Sequence, residues 1–176
     1  MENSLIAEVA GLYRVIALKP FRRTAGVTFD LLPMEFLPVI SGIDRVVHSH
    51  GALSPGAIAG VERPWYMHTQ QEDNLLVLHG RRTVDIYTRE HGRVETFVVE
   101  PERVSHGGRT VCDFPALLVW PRRVFHRIAS GAEGSISLNF AARDPDCDMK
   151  TNFTIYDLDM ETGAYSVLRA GHLDQS

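Results

Sequence analysis

Residues 66–80 have the sequence YMHTQQEDNLLVLHG, in which a polar segment leads through acidic side chains into an apolar run that ends at a glycine. Because side chains alternate between the two faces of a strand, the polar segment would place Tyr66, His68 and Gln70 on one face. A tight turn carrying the acidic residues would then bring a carboxylate back beside them. A neutral imidazole next to a carboxylate can bind a first-row metal, so this stretch predicts a polar site within a β-structure.

A second informative stretch, PRRVFHRIAS at residues 121–130, opens with a proline turn and continues as a strand. In that strand His126 shares a face with Ile128 and Ser130. If both stretches line one small barrel, we expect His68 and His126 to converge at its mouth.

The rest of the chain repeats one pattern, a short β-rich run closed by turn residues. Such runs occupy residues 46–50, 74–79, 83–88, 94–99, 115–120, 124–129 and 135–141. Strands spaced about every ten residues predict an antiparallel sandwich or barrel. Residues 152–158 and 165–169 flank a Glu-Thr-Gly turn and predict a C-terminal hairpin. A short helix is expected over residues 4–13, with Asn3 or Ser4 as its cap.

Composition excludes several classes of protein. The 176 residues are 44% hydrophobic and 23% charged, which is typical of one globular domain. The net charge of −4 lacks the basic excess of a nucleic-acid-binding domain. No apolar run approaches the roughly 20 residues of a membrane helix. The N-terminus has no secretory signal, and the two cysteines are too few for a disulfide framework, so we expect a cytoplasmic location.

Several other charged or titratable residues are predicted to lie on solvated surfaces. They are the arginine pairs 22–23, 81–82 and 122–123, interpreted as solvated faces or small anion contacts, and the histidines His79, His91, His106 and His172. His48 and His50 would share one strand face. They are interpreted as a polar strand edge or, alternatively, as a metal or substrate element.

The first stretch resembles the first sequence motif of the cupin superfamily, in which an H-x-H pair is followed by an acidic residue and then a glycine. Tyr66 and His68 stand at the two histidine positions, and six residues separate Asp73 from Gly80. Glu72 fits a shorter spacing, so the identity of the carboxylate stays open, with Asp73 preferred for its interval to the glycine.

The second stretch resembles the second cupin motif, P-x-G followed by a histidine and an asparagine. Here Pro121, Arg123, His126 and Ser130 occupy those positions, so the glycine and the asparagine are both replaced. The resemblance covers about residues 53–142. It implies an all-β fold, the cupin double-stranded β-helix or jelly-roll barrel, with N-terminal and C-terminal extensions.

This fold implies a division of the chain into three parts. Residues 1–45 would form an N-terminal extension packing on the barrel, residues 46–145 the cupin barrel, and residues 146–176 a C-terminal hairpin extension. Extensions and open edges of this kind are often covered by a second subunit, so a homodimer is expected.

The cupin resemblance also implies a metal site. Carried over residue by residue, the ligands would be His68, Asp73 and His126, and three ligands leave open positions on the metal. Tyr66 could be a weak fourth ligand or an acid–base group, and Gln70 could hold a bound water or a substrate oxygen. Fe, Mn, Ni and Zn all remain possible for this ligand set.

The resulting functional hypothesis is a metal-dependent cupin enzyme acting on a small polar metabolite, as an isomerase, lyase or dioxygenase. The alternative is a non-enzymatic cupin, a sensor or carrier, with a metal-free pocket for a small molecule. Residues 80–87 also resemble the strand that follows the first motif in dTDP-sugar epimerases and ketoisomerases. The epimerases usually carry a lysine where Asp73 stands, which argues against their mechanism.

Overall fold

The computed structural model describes residues 4–175, which form almost entirely antiparallel β-structure. The strands are β1 (Leu5–Val9), β2 (Tyr13–Ala17), β3 (Lys19–Thr24), β4 (Val27–Leu31), β5 (Gly42–His48), β6 (Leu53–Ser54), β7 (Trp65–Met67), β8 (Gln71–Tyr87), β9 (Glu95–Glu100), β10 (Arg103–His106), β11 (Arg109–Cys112), β12 (Ala116–Trp120), β13 (Phe125–Arg143), β14 (Ile155–Leu158) and β15 (Tyr165–Arg169). Within residues 4–175, helical structure is limited to α1 (Met149–Asn152) and two 3₁₀ turns, Met34–Phe36 and Gly171–Asp174.

Two long strands organise the fold. β8 and β13 pair antiparallel along nearly their whole lengths, from Phe125 opposite Tyr87 to Arg143 opposite Gln71. β8 also pairs with β9 and β12, while β13 also pairs with β5, β6 and β7. Within the described residues thirteen strands thus belong to one sheet, and β3 with β4 forms a separate two-stranded sheet.

The long strands bend where the sequence predicted that they would end. Gly80 and Gly134 both have positive φ, and a Cβ on Gly80 would lie 2.1 Å from the Gly134 carbonyl oxygen. Only glycine allows this backbone approach. The predicted separate strands 74–79 and 83–88 are therefore halves of β8, and the two predicted strands on either side of Gly134 are halves of β13.

The N-terminal helix predicted over residues 4–13 is wrong. Leu5–Val9 is strand β1, which turns at Gly11 and pairs with β2, and β2 pairs in turn with β12. Exposed and half-buried residues alternate along β1, which is the period of a strand. Asn3, the other suggested cap, lies outside the described residues.

The apolar core fills the space between the strand layers. Its largest group brings together buried side chains from β2, β8, β9 and β12, including Val15, Leu75, Phe97 and Leu118. At the C-terminal side, β14 pairs with both β7 and β15, so the C-terminal hairpin extends the main sheet next to β7. The division of the chain into three parts stays a prediction. Strand β5 crosses the predicted boundary between the N-terminal extension and the barrel, at residues 45 and 46.

No helix among residues 4–175 has the length and apolar character needed to cross a membrane. Cys112 and Cys147 are both free thiols, and Cys112 is buried. The cytoplasmic location stays a prediction.

Candidate metal centre and pocket

Strands β8 and β13 and the residue that follows β7 bring Asp73, His126 and His68 together. His126 pairs with Ile86 of β8 on one side and with Tyr66 of β7 on the other, which sets it beside the segment that carries His68. Asp73 lies near the start of β8, opposite Trp120. All three side chains are buried, and one ligand atom of each lies within 4.8 Å of the others.

The two histidines expose the same ring nitrogen to the cluster. His68 Nδ1 bonds the carbonyl oxygen of Asn152, and His126 Nδ1 bonds that of Val124 at 3.2 Å. Since a carbonyl only accepts hydrogen bonds, each Nδ1 carries a proton, and Nε2 is the ring nitrogen that can coordinate a metal. Backbone carbonyls hold metal-binding histidines in this same way.

Burial keeps His126 uncharged. The burial of the ring and, next, the proximity of His68 lower the pKa of His126 to about 4, against an opposing effect of Asp73. His126 is therefore neutral at neutral pH, which is the protonation state that a metal ligand needs.

Asp73 has one satisfied and one unsatisfied oxygen. Its Oδ1 accepts hydrogen bonds of 2.6 Å from both Gln71 Nε2 and Asn139 Nδ2. Its Oδ2 is buried without a hydrogen-bond partner among the described residues and lies 3.5 Å from His68 Nε2. A buried carboxylate oxygen without a donor is costly. Together with the imidazoles of His68 and His126, this oxygen forms a donor set for a divalent cation.

The cluster forms part of the wall of a cavity of about 110 Å³ inside the barrel. Tyr66 lines it, with its ring centroid 6.4 Å from that of His68 and 6.0 Å from that of His126. Burial raises the pKa of Tyr66, against the effect of a hydrogen bond with Ser54, so the hydroxyl is protonated at neutral pH. Phe153 packs edge-on against both Tyr66 and His68 and shields them from solvent.

The structure does not bring Gln70 to the cavity. β7 ends at Met67 and the chain bends at residues 69–70, so the predicted alternation is interrupted. Gln70 Oε1 instead accepts a 3.3 Å hydrogen bond from the backbone N–H of Asp148. Gln71, the next residue, is buried beside Asp73 and lines the cavity.

The structure separates the two candidate carboxylates. Glu72 lies on the opposite side of β8 from Asp73 and pairs with Arg14 Nη2 at 2.8 Å, outside the cavity. Asp73 alone faces the histidines.

Sequence reasoning missed Arg82, which lines the same cavity and is only 1% exposed. The pair 81–82 was interpreted as a solvated face or a small anion contact. The available signal was the alternation of Arg82 with Val84 and Ile86, which places all three on the inner face of β8.

Of the two histidines predicted to share one strand face, only His48 lines the cavity, and His50 does not. His48, the last residue of β5, lines the cavity and bonds Ser130 Oγ through Nδ1 at 2.8 Å. Burial and then the charge of Arg82 lower the pKa of His48 to about 4. His50 lies beyond the strand and bonds the Ala132 carbonyl oxygen at 2.9 Å on the exposed surface.

No known protein-family profile matches the sequence, and no curated protein matches it. Among solved structures the fold is similar to QdtA, a sugar 3,4-ketoisomerase from Thermoanaerobacterium thermosaccharolyticum solved in complex with TDP. The TM-score is 0.55 at 12% identity, over 78% of this chain and 85% of QdtA. It is also similar to WlaRB, a TDP-quinovose 3,4-ketoisomerase from Campylobacter jejuni, with a TM-score of 0.51 at 13% identity, over 77% of this chain and 88% of that one. The predicted fold, an all-β jelly-roll barrel, is therefore confirmed.

Proposed function

We propose that the protein is a metal-dependent cupin enzyme acting on a small polar metabolite. The observation that carries this proposal is Asp73 Oδ2, which is buried, has no hydrogen-bond partner among the described residues and lies beside the imidazoles of His68 and His126. A buried carboxylate oxygen without a donor is costly, and a bound cation would remove that cost.

The donor set suits the proposed metal. Two imidazole nitrogens and one carboxylate oxygen, from His68, His126 and Asp73, are ligands that Fe, Mn, Ni and Zn all accept. Three protein ligands leave positions open for a substrate, as in catalytic sites. When bound, such an ion would polarise a carbonyl or carboxylate of the substrate.

The remaining residues orient the site and exclude water. Gln71 and Asn139 fix the Asp73 carboxylate by donating to Oδ1. Two backbone carbonyls fix the planes of the imidazole rings. Tyr66 contributes a protonated hydroxyl in the cavity that can donate a hydrogen bond or a proton to a substrate oxygen.

The comparisons support a sugar-like substrate and, of the three reaction classes, isomerisation, since QdtA and WlaRB are named as sugar ketoisomerases. The cavity of about 110 Å³ is smaller than the usual several hundred Å³ of ligand pockets. The cavity is partly open to solvent, so its size supports a reacting group of a few carbon atoms at this site.

Metal stoichiometry tests the proposal. Purified protein would be stripped with a chelator, incubated separately with Zn²⁺, Mn²⁺, Ni²⁺ and anaerobic Fe²⁺, desalted and analysed by elemental analysis. We expect close to one ion per chain for the wild type and for the control His79→Ala, whose imidazole is exposed and outside the cavity. We expect none for His126→Ala. A wild type that takes up no metal yet binds a sugar or acid would instead support the non-enzymatic binding protein.

A homodimer is part of the same proposal. The β3–β4 hairpin forms a sheet of its own, and Phe21 and Phe29 are 63% and 46% exposed on it. Their rings pack edge to face at 5.1 Å. An exposed aromatic pair on a projecting hairpin is typical of a protein–protein contact, and a second copy of the chain is the partner that we propose.

A further inference from the structure

Arg82 carries a buried charge that no acidic residue neutralises. Other partly buried arginines pair with carboxylates: Arg14 with Glu72, Arg127 with Asp85 and Arg143 with Asp44. Arg82 forms no such pair within residues 4–175, although its exposure is only 1%. Burial lowers the pKa of Arg82 to about 10, so the guanidinium stays cationic at neutral pH.

The hydrogen bonds of Arg82 orient the guanidinium without neutralising it. Nε donates to Ser135 Oγ at 2.9 Å, and Nη2 donates to the Val46 carbonyl oxygen at 3.1 Å. Ser135 is in turn bonded to Ser130 at 2.9 Å. All of these partners are uncharged, and a guanidinium has five N–H donors, so these bonds leave three of its donors unused.

The inner face of β13 connects Arg82 to the proposed metal centre. Ser135, Ser137 and Asn139 alternate along this strand, with Ser135 bound to Arg82 and Asn139 bound to Asp73. Ser137 lies between them, lines the cavity, is completely buried, and its Oγ has no hydrogen-bond partner among the described residues. A second unsatisfied polar side chain therefore lies in the same cavity as the uncompensated cation.

We propose that Arg82 and Ser137 form a carboxylate-binding subsite of this cavity, and that the substrate is a small hydroxy or oxo carboxylic acid. The identification of this acid as the substrate rests on the proposed function, whereas the subsite does not. One guanidinium matches the single charge and the planar shape of one carboxylate. A phosphate carries nearly two charges, whereas Arg82 is the only arginine or lysine among residues 4–175 that lines the cavity, and Asp44 and Asp73 line it too.

Apolar side chains complete the subsite. Val46 and Ile128 line the cavity near Arg82, and Leu75 lies nearer the metal ligands. They would pack against the short carbon chain of such an acid, while its hydroxyl or oxo group faces the opposite end of the cavity. An acid with sugar-like hydroxyl groups agrees with both the cavity and the structural neighbours.

Ligand binding by matched charge variants tests the subsite. Binding of acetate, glycolate, D-glycerate and malonate would be measured by calorimetry and thermal shift, with glyceramide and inorganic phosphate as uncharged and phosphate comparisons. Wild type would be compared with Arg82→Met and with Arg45→Met, which makes the same charge change on the exposed face of β5. We expect the preferred acid to bind Arg82→Met at least about tenfold more weakly than wild type, since a buried charged partner is lost. We expect Arg45→Met to bind it with the affinity of wild type.

Two further variants test the subsite even if Arg82→Met does not fold. Arg82→Lys keeps the charge but loses the planar fork, so it should bind with intermediate affinity. Ser137→Ala should weaken acid binding several-fold without lowering the midpoint of ligand-free unfolding, because its hydroxyl has no partner to lose.

The measurements are made on chelator-treated and on metal-loaded protein, which separates this proposal from the metal site. Arg82-dependent binding to metal-free protein supports the subsite even if no metal is taken up. The subsite is overturned if none of the acids binds wild type at tens of millimolar, if glyceramide or phosphate binds as well as the acids, or if Arg82→Met retains full affinity.

Discussion

Arg123 donates its backbone N–H to the carbonyl oxygen of His68 over 2.7 Å, and it does so from the left-handed region, at φ +66°. This bond ties the turn before β13 to the segment that carries the first histidine. Arg123, which stands where the motif resembled by residues 121–130 has glycine, is thus in a left-handed conformation that an arginine rarely adopts.

Arg123→Gly should therefore stabilise the protein. Relief of a left-handed side-chain conformation is worth about 1–2 kcal/mol, and the greater freedom of glycine in the unfolded chain removes about 0.5–1 kcal/mol of that gain. We expect a free energy of unfolding that is higher by up to about 1.5 kcal/mol in chemical denaturation. Arg122→Gly is the control, since Arg122 has no positive φ and pairs with Asp144; it should be destabilised. A loss of stability in Arg123→Gly equal to that of the control would contradict the explanation.

Asp73→Asn should abolish metal uptake without destabilising the metal-free protein. The substitution removes an unpaired buried charge, and an amide nitrogen at that position can donate to the His68 Nε2 lone pair 3.5 Å away. The expected result is no bound metal by elemental analysis and an unchanged or higher thermal midpoint after chelation. Glu72→Gln is the matched control and should keep its metal, because Glu72 pairs with Arg14 outside the cavity. Metal loss in Glu72→Gln alone would reverse the choice of carboxylate.

Tyr66→His would place an imidazole at the position of the first motif histidine. Tyr66 lines the cavity, and its ring is 6.4 Å from that of His68. Since imidazole is a better ligand than a protonated phenol for Zn, Fe and Ni, we expect tighter metal binding in competition with a chelator. Tyr66→Phe should bind metal as wild type does, because only the hydroxyl is lost. Equal metal affinity for the histidine variant and wild type would exclude Tyr66 from the immediate surroundings of the ion.

Two parts of the structure followed from the sequence. The alternation of polar and apolar residues in the two motif stretches predicted that His68 and His126 face inward, and the structure places His68 directly after β7 and His126 in β13, where they meet. The interval to Gly80 favoured Asp73, which does face the histidines, because Gly80 marks a bend that fixes the register of β8 against β13. These features depend on short-range spacing, which a sequence displays directly.

The features that sequence reasoning missed depend on neighbouring strands. Gln70 was assigned to the site because strict alternation was assumed, whereas a bend at residues 69–70 moves Gln71 there. The arginine pair 81–82 was interpreted as a solvated face or a small anion contact, since arginine is seldom buried without a partner. The alternation of Arg82 with Val84 and Ile86 indicates an inward side chain, and the packing of β5 and β13 against β8 places it in the cavity. The strand β1 was mistaken for a helix because ten residues without a proline fit either structure.

The proposed homodimer should dissociate when the aromatic pair of the β3–β4 hairpin is made polar. Phe21 and Phe29 are largely exposed and contact each other rather than the core, so replacing both with serine should leave the barrel folded. Sedimentation equilibrium should give a mass of two chains for wild type and one for the double variant. A wild-type mass of one chain would contradict the proposed homodimer. A double variant that remains dimeric would place the interface elsewhere.

Glu95 should contribute to stability in a way that is lost in acid. Sequence reasoning expected His91 and His106 to be solvated, but each bonds one oxygen of Glu95, at 2.6 and 2.5 Å, and Arg93 Nε bonds the same carboxylate at 2.7 Å. Burial alone would raise the pKa of Glu95, but these three donors outweigh it and lower that pKa to about 2. Because the folded pKa is depressed, the stabilisation is present above the unfolded pKa of about 4.3 and disappears as the pH falls towards 2. The upper bound is about 3 kcal/mol, at about 1.4 kcal/mol per pKa unit, and coupling to the two histidines reduces it.

Urea unfolding of wild type and Glu95→Gln at pH values between 3 and 7 should show the largest difference in unfolding free energy near neutrality, narrowing steadily in acid. The control is Glu133→Gln, at an exposed position, which should follow wild type throughout. A constant difference between Glu95→Gln and wild type over this range would show that the carboxylate acts through packing, with no contribution from its charge.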